Sequence, residues 1–123
     1  MRTAMQLATI KLTCLLAACA AFGLSFDAAA ADVKRGQALA TKYNCASCHG
    51  ADYNKPIDPS YPKLGGQHAE YLSAALRAYK RGAGANGRVN PIMALQVQPL
   101  SHKDMDDIGA YLASLPSQLV IKR

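Results

Sequence analysis

Residues 44–50 read Asn-Cys-Ala-Ser-Cys-His-Gly, NCASCHG, and the histidine in that run decides how the rest of the chain is read. Two cysteines separated by a pair of residues serve equally a redox disulfide, half of a zinc site or a covalent anchor. With His49 directly after Cys48, the spacing is the c-type haem attachment signature. The thiols of Cys45 and Cys48 can form thioether bonds to the two vinyl groups on one porphyrin edge. His49 then lies under the ring, where its imidazole can bind iron. A thioredoxin-like site needs a βαβ context, and no stretch here reads as a strand. Zinc needs two further ligands at a partner spacing. A plain structural disulfide is the simplest remaining alternative.

The chain has 123 residues, room for one domain. Its first part is a different kind of segment. Arg2 and Lys11 precede an uncharged run from Leu12 to Phe26, followed by Asp-Ala-Ala-Ala-Ala at 27–31. A basic start, an apolar core and a small-residue cleavage pattern make a secretory signal peptide over residues 1–31, cut near Ala30 or Ala31. The run is short for a membrane span. Leu16 to Cys19, LAAC, resembles a lipobox, so lipidation at Cys19 is the alternative. Against it, the apolar run continues past Cys19, where a tether is usually polar.

Leader removal takes Cys14 and Cys19 and leaves Cys45 and Cys48 as the remaining cysteines. It also takes Arg2 and Lys11 from the 14 basic residues and Asp27 from the 8 acidic ones, so the net charge falls from +6 to +5. The mature domain, residues 32–123, is of a size at which a hydrophobic core alone stabilises only modestly. Small exported domains usually add disulfides, a metal or a cofactor, and here the cysteine pair is the visible candidate for holding one. Export agrees with that, since c-type haem is attached outside the bacterial cytoplasm.

Three helices are expected after the leader. Val33, Gly36, Leu39 and Ala40 recur at helical spacing behind Asp32, a good N-cap. Gln67 to about Arg81 places Tyr71, Leu72, Ala75, Leu76 and Tyr79 on one face. Ser101 with Asp104 approximates a capping box. It opens a last helix with Met105, Ile108, Tyr111, Leu112 and Leu115 on its apolar face, ended by Pro116. Gly50–Gly66 is rich in proline and glycine and reads as loop, and residues 83–99 read as a second irregular stretch. Loops this long in so small a domain suggest that something other than protein fills the centre.

Four groups besides His49 could bind the iron: Met93, Met105, His68 and His102. Met105 falls on an apolar helix face, where core packing is the simpler role. His68 and His102 sit at helix starts, where solvated side chains are the simpler reading. Met93 lies in the irregular stretch.

The segments CASCHG, YPKLGGQHAEYL, NPIMA and LSHKDMDDIGAYLASL together resemble the class I c-type cytochromes, most closely one domain of the bacterial two-haem cytochromes called c-four. The resemblance runs from Gly36 to Leu115. It implies an all-α class I fold of three main helices and long loops wrapped around one covalent haem c. In that family the ligand methionine stands seven positions before the leucine opening the last helix; Met93 and Leu100 have that spacing. His49 and Met93 are thereby implied as the two iron ligands. Pro62 is implied as the carbonyl that accepts the proton of the other His49 ring nitrogen. Tyr61, Leu64 and Leu100 are implied as pocket wall, although plain core fits them equally. Arg88 and Asn90 are implied near the haem propionates or the methionine loop, with a solvated loop as the alternative. Gly36 and Tyr111 match the family's crossing of first and last helix, whereas Ala40 stands where an aromatic is often found, so that crossing is expected to be less filled.

His/Met ligation raises the reduction potential relative to His/His and leaves no open position for substrate. The function implied is one-electron Fe(III)/Fe(II) transfer in the periplasm, and not enzymatic catalysis. An electron-accepting cytochrome subunit of a periplasmic dehydrogenase or oxidase complex is the alternative. Arg77, Lys80, Arg81 and Arg88 form a modest basic grouping, which reads either as a solvated helix end or as a surface that steers a redox protein with an acidic docking face. Nucleic acid is excluded by the compartment. Membrane contact is expected only through a partner complex, unless Cys19 is lipidated.

Overall fold

A computed structural model describes residues 30–118. The leader core and Cys19 lie outside the described residues. Within them are five helices and no strand: α1 (Val33–Lys42), α2 (Ala46–His49), α3 (Ala69–Arg81), α4 (Pro91–Val97) and α5 (His102–Ser114). The last helix is the hub, since α5 packs against both α1 and α3, while α3 also meets α4.

Helix starts follow the capping chemistry. The Asp32 carboxylate accepts the Arg35 N–H at 3.0 Å, satisfying one of the orphan donors of α1. Ser101 and Asp104 form a reciprocal capping box on α5, with aspartate in the place more often held by glutamate. Helix α4 corrects the expectation of an irregular 83–99. Asn90 caps it by accepting the Met93 N–H at 2.9 Å, and Pro91 occupies its first turn. Seven residues are too few to show a helical period, so only the Asn-Pro start signal was present in the sequence.

Close backbone approach shapes both crossings of α5. A Cβ at Gly36 would overlap the Asp107 carbonyl oxygen and stand 2.9 Å from Tyr111 Cβ. On the other side, a Cβ at Gly109 would stand 2.7 Å from Ser73 Oγ and 2.8 Å from the Ala69 carbonyl oxygen. Met105, Ile108 and Leu112 fill the space between, together with Leu72, Val97 and Leu100. Met105 has no exposed surface, in keeping with a packing role. Ala40 is also fully buried, in a cluster that includes Tyr53. The Tyr53 ring meets Tyr111 edge to face at a centroid distance of 5.9 Å, a favoured aromatic geometry. The crossing is thus packed by a tyrosine arriving from the loop.

Tyr53 adopts a left-handed backbone at φ 56°, which costs about 1 kcal/mol or more and persists only where the surroundings over-determine it. Burial pushes its phenol up to about 12. The unfolded phenol ionises near pH 10. Between about pH 10 and 12 the unfolded state therefore releases a proton that the folded state keeps. Stability is full below pH 10 and is expected to fall as pH rises from there through about 12. Denaturant unfolding at stepped alkaline pH measures this, and Tyr53→Phe should flatten that part of the slope.

Asp107 is the one carboxylate with no exposed surface among the described residues. Its oxygens accept from the Asp32 N–H at 2.7 Å, Lys103 Nζ at 2.6 Å and the Arg35 guanidinium. Burial alone would push this carboxyl up; the Lys103, Asp32 and Arg35 donors outweigh it and hold the group below the usual carboxylate range. The cluster fastens the start of α1 to α5.

Candidate haem-binding site

The CxxCH segment is delivered by a tight bend. Tyr43, Asn44 and Cys45 follow α1, with Asn44 left-handed at φ 52°, and the Cys45 N–H returns to the Ala40 carbonyl at 3.0 Å. The single turn of α2 then carries Cys48 and His49, and Gly50 ends it at φ 87°. A Cβ there would overlap the backbone of Lys55, so glycine is required. Both cysteines are partly buried and not joined to each other. Burial raises the Cys45 thiol above its ordinary value.

His49 is buried. Its Nδ1 lies 3.0 Å from the Pro62 carbonyl oxygen. A carbonyl can only accept, so Nδ1 carries the proton and Nε2 is the free lone pair. The Pro62 loop is itself held in place, because Leu64 N–H donates to the Tyr53 carbonyl at 2.7 Å. Asn54 ties the same loop to the end of α5, donating from Nδ2 to the Pro116 carbonyl at 3.0 Å.

His49 opens onto a largely apolar cavity of about 210 Å³. Cys48, Tyr61, Pro62 and Leu64 line it from the loop side, Met93 and Ile92 from α4, and Leu72, Leu76 and Tyr79 from α3. Cys45 is not part of the lining; it packs at the margin of the core cluster. Of the residues expected as pocket wall, Tyr61 and Leu64 face the cavity, whereas Leu100 is buried in the core. His68 and His102 are exposed and lie outside the lining, as does Met105. The α3 face was read as a helix face without being assigned to the site.

Arg88 brings charge to the rim. Its guanidinium stacks over Tyr71 at 5.4 Å and Tyr79 at 5.6 Å. Asn90 also lines the cavity, while its side-chain oxygen caps α4. The basic grouping is largely engaged within the molecule. Arg77 pairs with Asp106, Lys80 donates to the Leu100 carbonyl, and Arg81 donates to the Asn86 carbonyl at 2.9 Å.

The donor set fits a covalent haem c. Two thiols stand beside a buried imidazole with one free nitrogen, and a thioether lines the same apolar cavity. No group of three or more His, Cys, Asp or Glu suited to a bare metal ion occurs among the described residues. None of the described helices is long and apolar enough to cross a membrane.

Comparison with known proteins agrees with this chemistry. Residues 33–116 match the family model described as Cytochrome c. Cytochrome c-554(548) of Halomonas halodenitrificans is 39% identical over 88 residues, covering 72% of this chain and 95% of that protein. Cytochrome c4 of Stutzerimonas stutzeri is 41% identical over 91 residues, covering 70% of this chain and 42% of the relative. A thiosulfate dehydrogenase electron acceptor of Stutzerimonas stutzeri is 37% identical over 106 residues, 83% of this chain and 47% of that protein. The chain thus spans nearly all of the Halomonas protein and under half of the other two. It belongs to the cytochrome c family, resembles a single unit of the c4 cytochromes, and is an electron-transfer protein built around covalently attached haem c.

Proposed function

We propose that the mature chain, residues 32–123 after removal of a 1–31 leader, is a periplasmic one-electron carrier with its iron held between His49 and Met93. The observation that carries this reading is the Nδ1 contact of His49 with the Pro62 carbonyl, which leaves Nε2 free in a cavity that Met93 also lines. When bound, haem c supplies the Fe(III)/Fe(II) couple. Cys45 and Cys48 tether it, so the cofactor cannot be lost between partners. Pro62 fixes the tautomer and orientation of the His49 ring, a contact that also raises the basicity of a ligating imidazole. Asn90 caps α4 and so holds the backbone of Met93 in place. Tyr61, Leu64, Leu72 and Leu76 exclude water, which favours the less charged reduced state.

With His49 and Met93 both holding the iron, no coordination site would be left for substrate, and the protein would work as a carrier and not as an enzyme. Carbon monoxide tests this: the reduced protein at neutral pH should keep its spectrum under the gas. Ready binding would show an open iron and contradict the assignment.

The partner is a redox protein with an acidic docking face. Support comes from the mature charge of +5 and from Lys63 and Arg88 at the cavity. Electron exchange with such a partner should slow as ionic strength rises. The alternative, an electron-accepting subunit of a periplasmic dehydrogenase or oxidase complex, takes support from the name of the thiosulfate dehydrogenase electron acceptor. Constant co-purification with a catalytic subunit would favour it.

A further inference from the structure

The cluster around Asp107 has no part in the haem chemistry, and its charges do not balance. Asp32, Asp104 and Asp107 bring three carboxylates; Arg35 and Lys103 bring two cations. Among the described residues the cluster is one positive charge short, although its central carboxylate has no exposed surface. A buried carboxylate favours full compensation by cations and hydrogen bonds. The third donor to Asp107 is the backbone nitrogen of Asp32, at 2.7 Å from Oδ1. That nitrogen belongs to the peptide bond after Ala31, one of the two bonds at which the Ala-rich end of the leader reads as a cleavage site.

We propose that the Asp107 cluster is the receptor for the α-ammonium group that leader removal creates at Asp32. The proposal rests on the reading of residues 1–31 as a cleaved leader. Hydrolysis of the Ala31–Asp32 bond consumes one water. The hydroxyl joins the Ala31 carbonyl carbon, and the Asp32 nitrogen leaves as an amine, which is mostly protonated at neutral pH. A neutral amide donor 2.7 Å from the buried carboxylate becomes a cation at the same place, and the charges then balance. Cleavage after Ala30 would put the ammonium on Ala31, one residue away from the nitrogen that donates to Asp107. The structure therefore favours the bond after Ala31.

Processing thus completes the α1–α5 clamp. Before cleavage, Lys103 divides its ammonium between Asp107 and the Ala30 carbonyl, the latter at 3.2 Å. Afterwards that carbonyl is gone and Lys103 is left to Asp107. Leader removal thereby strengthens a contact between the first and last helices that the unprocessed chain already makes.

The test begins with the intact mass of holoprotein exported under its own leader. A chain starting at Asp32 is expected. A chain retaining residues 1–31, or one lipidated at Cys19, would overturn the leader reading. A cleaved chain starting anywhere else would overturn the proposal and leave the leader reading standing. The pairing is then measured by selective acetylation of the α-amine, with denaturant unfolding of wild type and Asp107→Asn. Acetylation should lower the folding equilibrium constant about tenfold in wild type, and less than about twofold in the variant. Equal losses in both would overturn the proposal. Should Asp107→Asn fail to fold, the wild-type protein decides alone. Its α-amine should react with the acetylating reagent at least about tenfold more slowly than that of a chain carrying two extra alanines before Asp32. Equal rates would overturn the pairing.

Discussion

Replacing Met93 by alanine is expected to lower the reduction potential by about 0.1 V or more, within the ~0.8 V span that axial ligands command. The same change should let carbon monoxide bind the reduced protein and should remove the methionine–iron charge-transfer band at the red end of the oxidised spectrum. The reason is chemical. The thioether stabilises ferrous iron, and among the described residues no other side chain lining the cavity offers a soft sulfur donor apart from the tethering Cys48. Stability should change far less than potential. Met93 is only partly buried on a short helix, and its backbone N–H to Asn90 survives the substitution. A variant with unchanged potential and an intact band would place the sixth ligand elsewhere.

Gly36→Ala should destabilise the folded protein by about 3 kcal/mol, at the upper end of what overpacking costs. The added methyl meets the Asp107 backbone carbonyl and Tyr111 Cβ. Neither atom can move by a rotamer change, so α1 must lift from α5. The displaced helix would also loosen Arg35 and the Asp32 nitrogen from Asp107. For a domain of this size the loss corresponds to a fall in Tm of roughly 10–20 °C. Gln37→Ala, one residue along on the exposed side of α1, should stay within about 0.5 kcal/mol. Thermal unfolding of the two holoproteins side by side measures the difference; equal stabilities would mean that the helices do not cross as closely as described.

Much of this architecture was legible in the chain because it is written locally. Asp32 before Val33, Ser101 with Asp104, and the apolar faces of α3 and α5 are signals within a few residues of where they act. The two long helices are found within two residues of where the periodicity puts them. The features that escaped are those whose cause is distant. Helix α4 is too short to show a period. Tyr53 is buried by its meeting with Tyr111, 58 positions along the chain, and nothing in the Gly/Pro-rich loop marks it as core. Asp107 is adjacent to the apolar face of α5 and would pass for a solvated residue; its partners Asp32 and Arg35 stand 75 and 72 positions away.

The site divides in the same way. The motif residues were legible because thioether chemistry dictates their spacing. The Pro62 contact was implied by resemblance, and in the structure the proline carbonyl lies 3.0 Å from the His49 ring. Leu100 was expected as pocket wall or as plain core, and it belongs to the core. Sequence places it correctly before the last helix and cannot say which way it faces. Leu72 and Leu76 were read as one side of a helix; only the arrangement of α3 over the CxxCH turn makes that side a cavity wall.

The central claim is that Cys45 and Cys48 anchor one haem under His49. Intact mass under denaturing conditions tests it most directly, because only a covalent group survives unfolding. The account predicts the mature chain plus one haem, with no thiol left to react with an alkylating reagent. The mass of the bare chain with two reactive thiols, or of that chain less two hydrogens as a disulfide, would contradict it.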